Sequence, residues 1–223
     1  MVLARTDFLN AGIYEQVVTR IVDIIKELTL NKTQFNLLDA GCGEGYYLNY
    51  IFTQLTNDNC RHSFIGLDIS KQAIIGAAKR NKKITWVVGT NKTPPLCAES
   101  IDLILCVFGF YSFDGFKKIL KHAGKVILVE PGANHLKELR EIIYSEVNKS
   151  DSSDLSYAQE MGFTLIDTQN INFKTKSINK EQIQQLLLMT PHFFRANKEG
   201  RERAAKIDSL NLTVDMVVRV LEV

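Results

Sequence analysis

The chain has 223 residues, 45% of them hydrophobic, which is enough for one sizeable core and fits one domain or two small ones. Its 27 basic and 25 acidic residues leave a net charge of +2, so composition announces neither a dedicated nucleic-acid binder nor an acidic tail. The four cysteines, Cys42, Cys60, Cys97 and Cys106, form no C-x-x-C pair, and no apolar stretch approaches membrane-spanning length. A zinc ribbon and a disulfide framework are therefore not expected. The opening "MVLARTDFLN" has charges where a signal peptide needs its apolar region, so a cytoplasmic protein that does not engage a membrane is the expectation.

In chain order, "GIYEQVVTRIVDIIKEL" (12–28) spaces Ile, Val and Leu by three and four and predicts an amphipathic helix. "FNLLDAG" then reads as a buried strand, "YYLNYIFTQL" as a helix and "SFIGLDIS" as a second strand. "KQAIIGAAKRN" is helical, "ITWVVGT" a third strand and "SIDLILCVFGF" a fourth. "FDGFKKILKHAG" (113–124) predicts a helix ending near Gly124, and "KVILVEPG" a fifth strand. Alternation at this spacing indicates parallel βαβ units in a doubly wound sheet. The pattern then changes: a helix over 134–147, the polar loop "KSDSSDLS", a paired strand in "GFTLIDTQNINFKTK", a helix in "NKEQIQQLLLM" and a closing strand in "LNLTVDMVVRVLEV". Pro94, Pro95, Pro131 and Pro191 all fall between these elements.

The first chemistry-bearing motif is "LLDAGCGEGYYL", where Gly41, Gly43 and Gly45 lie between a strand and a helix. Glycines there permit a tight turn and a close backbone approach to a ligand. Asp68 closes the second strand, where a carboxylate can accept both ribose hydroxyls of a nucleoside. A dinucleotide would set its pyrophosphate on the helix N-terminus, yet Asp39 and Glu44 put two carboxylates beside that place. S-adenosylmethionine has no phosphate and carries a sulfonium and an ammonium, so acidic neighbours favour it. Ile69, next to Asp68, joins the cofactor-binding set. Thr90 and Asn91 in "GTNKTPPL" fit either an adenine edge or simple turn formation. Phe108 and Phe110 stand at the carboxyl edge of the fourth strand, where open α/β folds bind ligands, whereas Phe113 and Phe116 read as core.

With these segments in hand, the chain resembles the bacterial large-subunit (23S) ribosomal RNA guanine-N1 methyltransferases. The likeness runs through "ARTDFLNAGIY", "LLDAGCGEGYYL", "GLDISKQAI", "EPGANHLKELREIIYSEV", "MGFTL" and "LLLMTPHFFRA", from about residue 4 to beyond residue 200. The PG-x-x-HL and MTP-x-x-x-RA segments are the diagnostic ones. The resemblance implies a Rossmann-like class I S-adenosylmethionine-dependent methyltransferase fold, with a mostly parallel seven-stranded sheet and an antiparallel C-terminal edge. It implies one domain over 1–223, with a helical lead-in over 1–33 and substrate-side insertions within 134–210. It further implies that Tyr14, Gly43, Glu44, Asp68 and His135 meet the donor. From the residues alone, Tyr14 would be an ordinary half-buried tyrosine and His135 a capping or packed histidine. Family members carry an N-terminal zinc ribbon that has no matching cysteines here, so zinc is not expected in this chain. That puts RNA affinity in question more than donor binding. The family also has a proline where this chain has Phe110.

The function implied is methyl transfer from S-adenosylmethionine to N1 of a guanine in a hairpin loop of ribosomal RNA, with the RNA hairpin as partner. A base in a folded hairpin must be exposed before a donor can reach it, and Phe110 and Phe194 would stack on it while Arg195 and Thr190 face the RNA. His192 is not required by the motif. "RANKEGRERAAK" reads as an RNA-facing stripe or as a solvated helix face. Two alternatives stay open: a methyltransferase of small molecules on the same fold, and a donor-binding module with weak or no RNA activity. A homodimer is compatible with the sequence. No general base can be assigned, although Glu130 lies at the right sheet edge.

Overall fold

The computed structural model describes residues 1–56, 61–144 and 154–223, with Phe193 and Phe194 described in backbone only. In chain order, α1 (Val2–Asn10), α2 (Glu15–Thr29), β1 (Asn36–Ala40), α3 (Tyr46–Leu55), β2 (Ser63–Asp68), α4 (Lys71–Arg80) and β3 (Thr85–Val88) come first. They are followed by β4 (Ile101–Val107), α5 (Phe113–Ile119), β5 (Leu120–Pro131), α6 (Lys137–Ile143), α7 (Ser156–Glu160) and β6 (Thr164–Lys174). The chain ends with β7 (Ile178–Asn179), α8 (Lys180–Met189), α9 (His192–Arg195), α10 (Lys198–Ala205), β8 (Ser209–Leu210) and β9 (Thr213–Glu222).

Seven strands form one sheet in the order β3-β2-β1-β4-β5-β9-β6. The first five pair in parallel, and the sheet has the antiparallel edge expected from the sequence. Strand order reverses between β1 and β4, which makes their carboxyl ends the topological switch point where such sheets bind ligands. Every residue of β4 is buried, as a parallel strand covered on both faces requires.

The chain divides into two compact units. One comprises Gln16–Glu130, Ser153–Gln169 and Val217–Val223. Its α2 buries Val17, Val18, Ile21, Val22, Ile24 and Ile25, the stripe that the three-and-four spacing predicts. Phe113 and Phe116 are buried core residues, and Phe113 packs against Phe163 with ring centroids 5.1 Å apart. Gly66 and Trp86 are register partners on β2 and β3, and the indole lies where a Gly66 side chain would be. The indole Nε1 donates to the Asn81 carbonyl at 2.8 Å.

The other unit comprises Met1–Glu15, Pro131–Ser152 and Asn170–Met216. Here α1 packs against α8, and α6 against α10. Asn179 caps α8 through a capping box with Gln182. Arg203 caps the end of α6, donating to the carbonyls of Ile142 at 2.7 Å and Ile143 at 3.1 Å. One cation of the proposed basic stripe is therefore committed to structure.

Several boundaries differ from the sequence expectation. The helix expected over 113–124 stops at Ile119, because Leu120 is captured by pairing with Ile101 of β4 and begins β5. The helix expected over 12–28 starts at Glu15, and the rest of the helical lead-in over 1–33 is a separate helix, α1. The helix expected over 134–147 begins at Lys137, since Leu136 adopts a left-handed φ of 53°. Its last residues, 145–147, and most of the polar loop after it lie outside the described residues. Pro131 is the last residue of β5 rather than a linker residue.

Two glycines give opposite predictions. A Cβ at Gly66 would collide with the Trp86 ring and stand 3.0 Å from Cys42 Sγ, so Gly66→Ala is expected to destabilise by about 1–3 kcal/mol. Gly76, inside α4, would meet only Glu44 Cβ at an ordinary 3.6 Å, so Gly76→Ala is expected to stabilise by about 0.5–1 kcal/mol. Urea denaturation of both variants checks the pair.

Candidate functional site

The apolar residues Leu37, Leu38 and Ala40 of β1 are fully buried and fix the strand that delivers the glycine loop. The backbone then takes left-handed φ values at Gly41 (93°), Gly43 (58°) and Gly45 (80°), a conformation that disfavours any side chain. Gly41 and Cys42 N–H both donate to the Leu67 carbonyl, at 2.7 and 3.0 Å. Gly43 N–H donates to Asp68 Oδ2 at 2.9 Å, and Ser70 N–H to Asp68 Oδ1 at 2.7 Å. Asp68 thus ties the loop to the start of α4. Each of its oxygens keeps a lone pair for a further donor.

Asp39 and Glu44 are both buried, at 1% and 2% exposure. Glu44 faces α4: Arg80 Nη2 lies 3.8 Å from its carboxylate, and Arg80 Nε donates to its carbonyl at 3.1 Å. The field in the loop is nevertheless negative. Burial first, and then the carboxylates of Asp39, Asp68 and Glu44, push the Cys42 thiol far above its usual range.

The end of β4 closes on this loop. Gly41 approaches Gly109 backbone to backbone, a Cβ on Gly41 lying 3.6 Å from Gly109 Cα. A Cβ on Gly109 would sit 3.0 Å from the Ala40 carbonyl and 2.9 Å from Cys106 Sγ. Phe108 has a left-handed φ of 53°, uncommon for an aromatic residue, and its N–H donates to the Val129 carbonyl at 2.9 Å. Around this edge Ile69 is 77% exposed, Phe108 39% and Phe110 66%. Asn91 Nδ2 donates to the Phe110 carbonyl at 2.6 Å, and Thr90 Oγ1 accepts from Lys92 N–H at 3.3 Å. The Thr90 side chain thus supports its own turn, whereas that of Asn91 ties this loop to the segment after β4. Glu130 is bound to Arg219 in an ion pair.

In the other unit, the Pro131–Leu136 turn is built around Asp215. Its carboxylate occupies the place a Gly132 side chain would take, and Asn134 N–H donates to its Oδ2 at 2.8 Å. Asp215 N–H donates to His135 Nδ1 at 3.3 Å, which leaves the ring proton on Nε2, 3.3 Å from the Tyr14 hydroxyl. Arg140 Nη1 donates to the carbonyls of Ala133 at 2.8 Å and His135 at 3.4 Å. Burial, reinforced by His192 and Arg140 and opposed by Asp215, pushes His135 down to about 4. Tyr14 is buried, its ring edge-on to Phe8 at 5.7 Å. His192 Nδ1 lies 2.9 Å from the Tyr144 hydroxyl, and burial with Arg140 and Arg195 lowers its pKa. Thr190 caps α8, its hydroxyl donating to Leu187 at 3.4 Å, and Arg195 ends α9 with its side chain exposed. The Phe194 side chain lies outside what is described. Sequence reasoning passed over Trp86, Arg140, Tyr144 and Asp215. A lone acid in the buried strand "TVDMVV" was the one available signal for Asp215.

Residues 37–132 match a family model described as a methyltransferase domain. Along 214 residues the chain is 26% identical to a Bacillus subtilis (strain 168) protein provisionally named 23S rRNA (guanine-N(1)-)-methyltransferase YxjB, covering 95% of this chain and 75% of that one. Among solved structures, the Bacillus subtilis YcgJ protein aligns over 90% of this chain and 97% of its own, with TM-score 0.53 and 18% identity. A provisionally named methyltransferase from Bacillus halodurans aligns over 90% and 97%, with TM-score 0.57 and 15% identity. The plantazolicin methyltransferase BpumL, solved with SAH, aligns over 98% and 90%, with TM-score 0.52 and 18% identity. The fold is that of the class I S-adenosylmethionine-dependent methyltransferases. The loop suits the donor's chemistry: its glycines leave the backbone uncovered, and the carboxylates of Asp39, Asp68 and Glu44 around it favour a sulfonium and an ammonium over a pyrophosphate. Among the described residues no cluster of three or more His, Cys, Asp or Glu could hold a metal ion, and no helix is long and apolar enough to cross a membrane.

His135 makes stability depend on pH. Unfolded, the imidazole titrates near 6.5; folded, near 4. Between those values the unfolded chain takes up a proton that the folded chain refuses. The contribution is therefore complete above about pH 6.5 and is lost as pH falls toward 4, by on the order of 3 kcal/mol in all. His135→Gln is expected to remove this dependence. Comparing wild-type and variant urea denaturation at pH 7 and pH 4 cancels the groups they share, and equal pH slopes would contradict the assignment.

Proposed function

We propose that the protein transfers a methyl group from S-adenosylmethionine to N1 of a guanine in a hairpin loop of large-subunit ribosomal RNA. The observation that carries the substrate is likeness to YxjB along 95% of the chain, with both diagnostic motifs internally consistent. Those motifs are joined within one unit: Arg140 holds the carbonyls of the PG-x-x-HL turn and also acts on His192 of the MTP-x-x-x-RA segment. We read the chain as one methyltransferase domain with its substrate-side insertions within 134–210.

Donor binding is assigned to the backbone of Gly41, Gly43 and Gly45, with Asp68 for the ribose hydroxyls, Ile69 and Phe108 as apolar walls, and Asp39 and Glu44 as sources of negative field. For Thr90, Asn91, Tyr14 and His135 the donor role rests on the sequence pattern and the resemblance. Phe110, Thr190, Phe194 and Arg195 are assigned to the RNA side. When bound, S-adenosylmethionine supplies an electrophilic methyl group on a positively charged sulfur. Guanine N1 must lose its proton as it is methylated. Glu130 is engaged by Arg219 and is not offered as the base. What the chain contributes is orientation and exclusion of water, which can supply much of the acceleration for an already activated donor.

The fold equally accommodates a small-molecule acceptor, or donor binding without transfer. Tritiated methyl transfer to ribosomal RNA lacking the modification, followed by nucleoside analysis, separates the readings. N1-methylguanine is the expected product; label in no nucleoside would overturn the assignment. Asp68→Asn, which keeps the size but loses the charge, is expected to weaken donor binding by about 10- to 100-fold in calorimetric titration.

A further inference from the structure

We propose that Phe110 and Lys92 form a composite grip for one nucleotide of the RNA, the ring stacking on a base and the ammonium meeting its phosphate. The inference rests on the RNA reading above for the identity of the polymer. Lys92 Nζ lies over the Phe110 ring, 5.8 Å from its centroid. Among the described residues no carboxylate pairs with Lys92, so its charge is available to an anion. Phe110 is 66% exposed, and the exposed apolar residues Ile69, Val88 and Phe108 lie at the carboxyl ends of β2, β3 and β4 on the same edge of the sheet. A single exposed apolar residue would be ordinary; a cluster at a ligand-binding sheet edge marks a contact surface.

The backbone that carries the pair is held in place before any ligand arrives. Asn91 Nδ2 fixes the Phe110 carbonyl at 2.6 Å, and Thr90 bridges to Thr93 across Lys92. Gly115 admits this loop: a Cβ there would clash with the Asn91 carbonyl and stand 2.9 Å from that of Lys92. On the other side Gly109, beside Phe110, lies against Gly41 of the glycine loop. The grip therefore adjoins the donor loop within one unit. A flat hydrocarbon face beside an unpaired ammonium suits a planar base joined to an anionic phosphate, since base stacking tolerates any base and the phosphate gains a charge contact. Where the resembling family has a proline, this chain has an aromatic ring that can stack.

The test is fluorescence anisotropy with a labelled, guanine-containing hairpin oligoribonucleotide, read beside donor affinity. Phe110→Ala is expected to weaken hairpin binding about tenfold or more, while Phe110→Tyr stays within about twofold. Lys92→Gln is expected to flatten the slope of log affinity against log salt by about 0.7, one single-strand phosphate contact. Donor affinity should not change in any of the three. Unchanged hairpin binding by Phe110→Ala, equal loss of donor binding, or no hairpin binding by the wild type would each overturn the inference. Hairpin binding that depends on Phe110 without formation of N1-methylguanine would support the grip and defeat the guanine-N1 assignment instead.

Discussion

The Asp68 carboxylate is the joint on which the glycine loop depends. It accepts Gly43 N–H with one oxygen and Ser70 N–H with the other, so one side chain sets both the loop after β1 and the first turn of α4. Hydrogen bonds to an ionised acceptor are about twice as strong as neutral ones, which suits a loop whose three glycines lose more conformational freedom than other residues would. The Leu67 carbonyl, taking Gly41 and Cys42 N–H together, completes the attachment one residue earlier. Gly45 and Gly66 then leave room for the Trp86 indole, which braces the loop from the β3 side. In the donor site proposed above, recognition and local stability would draw on the same few atoms.

The turn after β5 follows the same logic within the other unit. An acidic side chain again accepts a loop N–H, here Asp215 with Asn134, and again a glycine is required because the carboxylate occupies the space of a side chain. Asp215 N–H and the Tyr14 hydroxyl hold His135 at both ring nitrogens, and burial keeps the ring neutral. A neutral imidazole in one tautomer is an oriented hydrogen-bonding group, which a freely titrating surface histidine is not.

What could be read from the sequence follows the range of the forces involved. The sheet, the α2 stripe and the glycine loop depend on periodicity and on residues adjacent in the chain, and their pattern survives in one dimension. The helix over 113–124 was overextended because Phe113, Phe116 and Leu120 keep helical spacing, while the competing attraction is a pairing with Ile101 that no local pattern reveals. Glu44 reads as a loop carboxylate until Arg80, 36 residues later, is seen beside it. His192 looked dispensable, yet its contact is Tyr144, 48 residues earlier, and its neighbours include both arginines of that cluster. The residues missed are those whose role is fixed by a distant partner.

Charge placement gives the sheet edge its direction. A nearly neutral protein has no global field to gather a polyanion, so recognition must come from local arrangement. Asp39, Asp68 and Glu44 make the glycine loop negative, which favours a cationic donor and would repel an RNA phosphate placed there. Lys92, held at the end of the next strand segment, offers the opposite sign beside an exposed ring. Placing the two signs at adjacent stations of one edge would sort the ligands: the sulfonium toward the carboxylates, the phosphate toward the ammonium, and the base between them on Phe110. Net charge conceals this sorting because the opposing groups cancel in the sum.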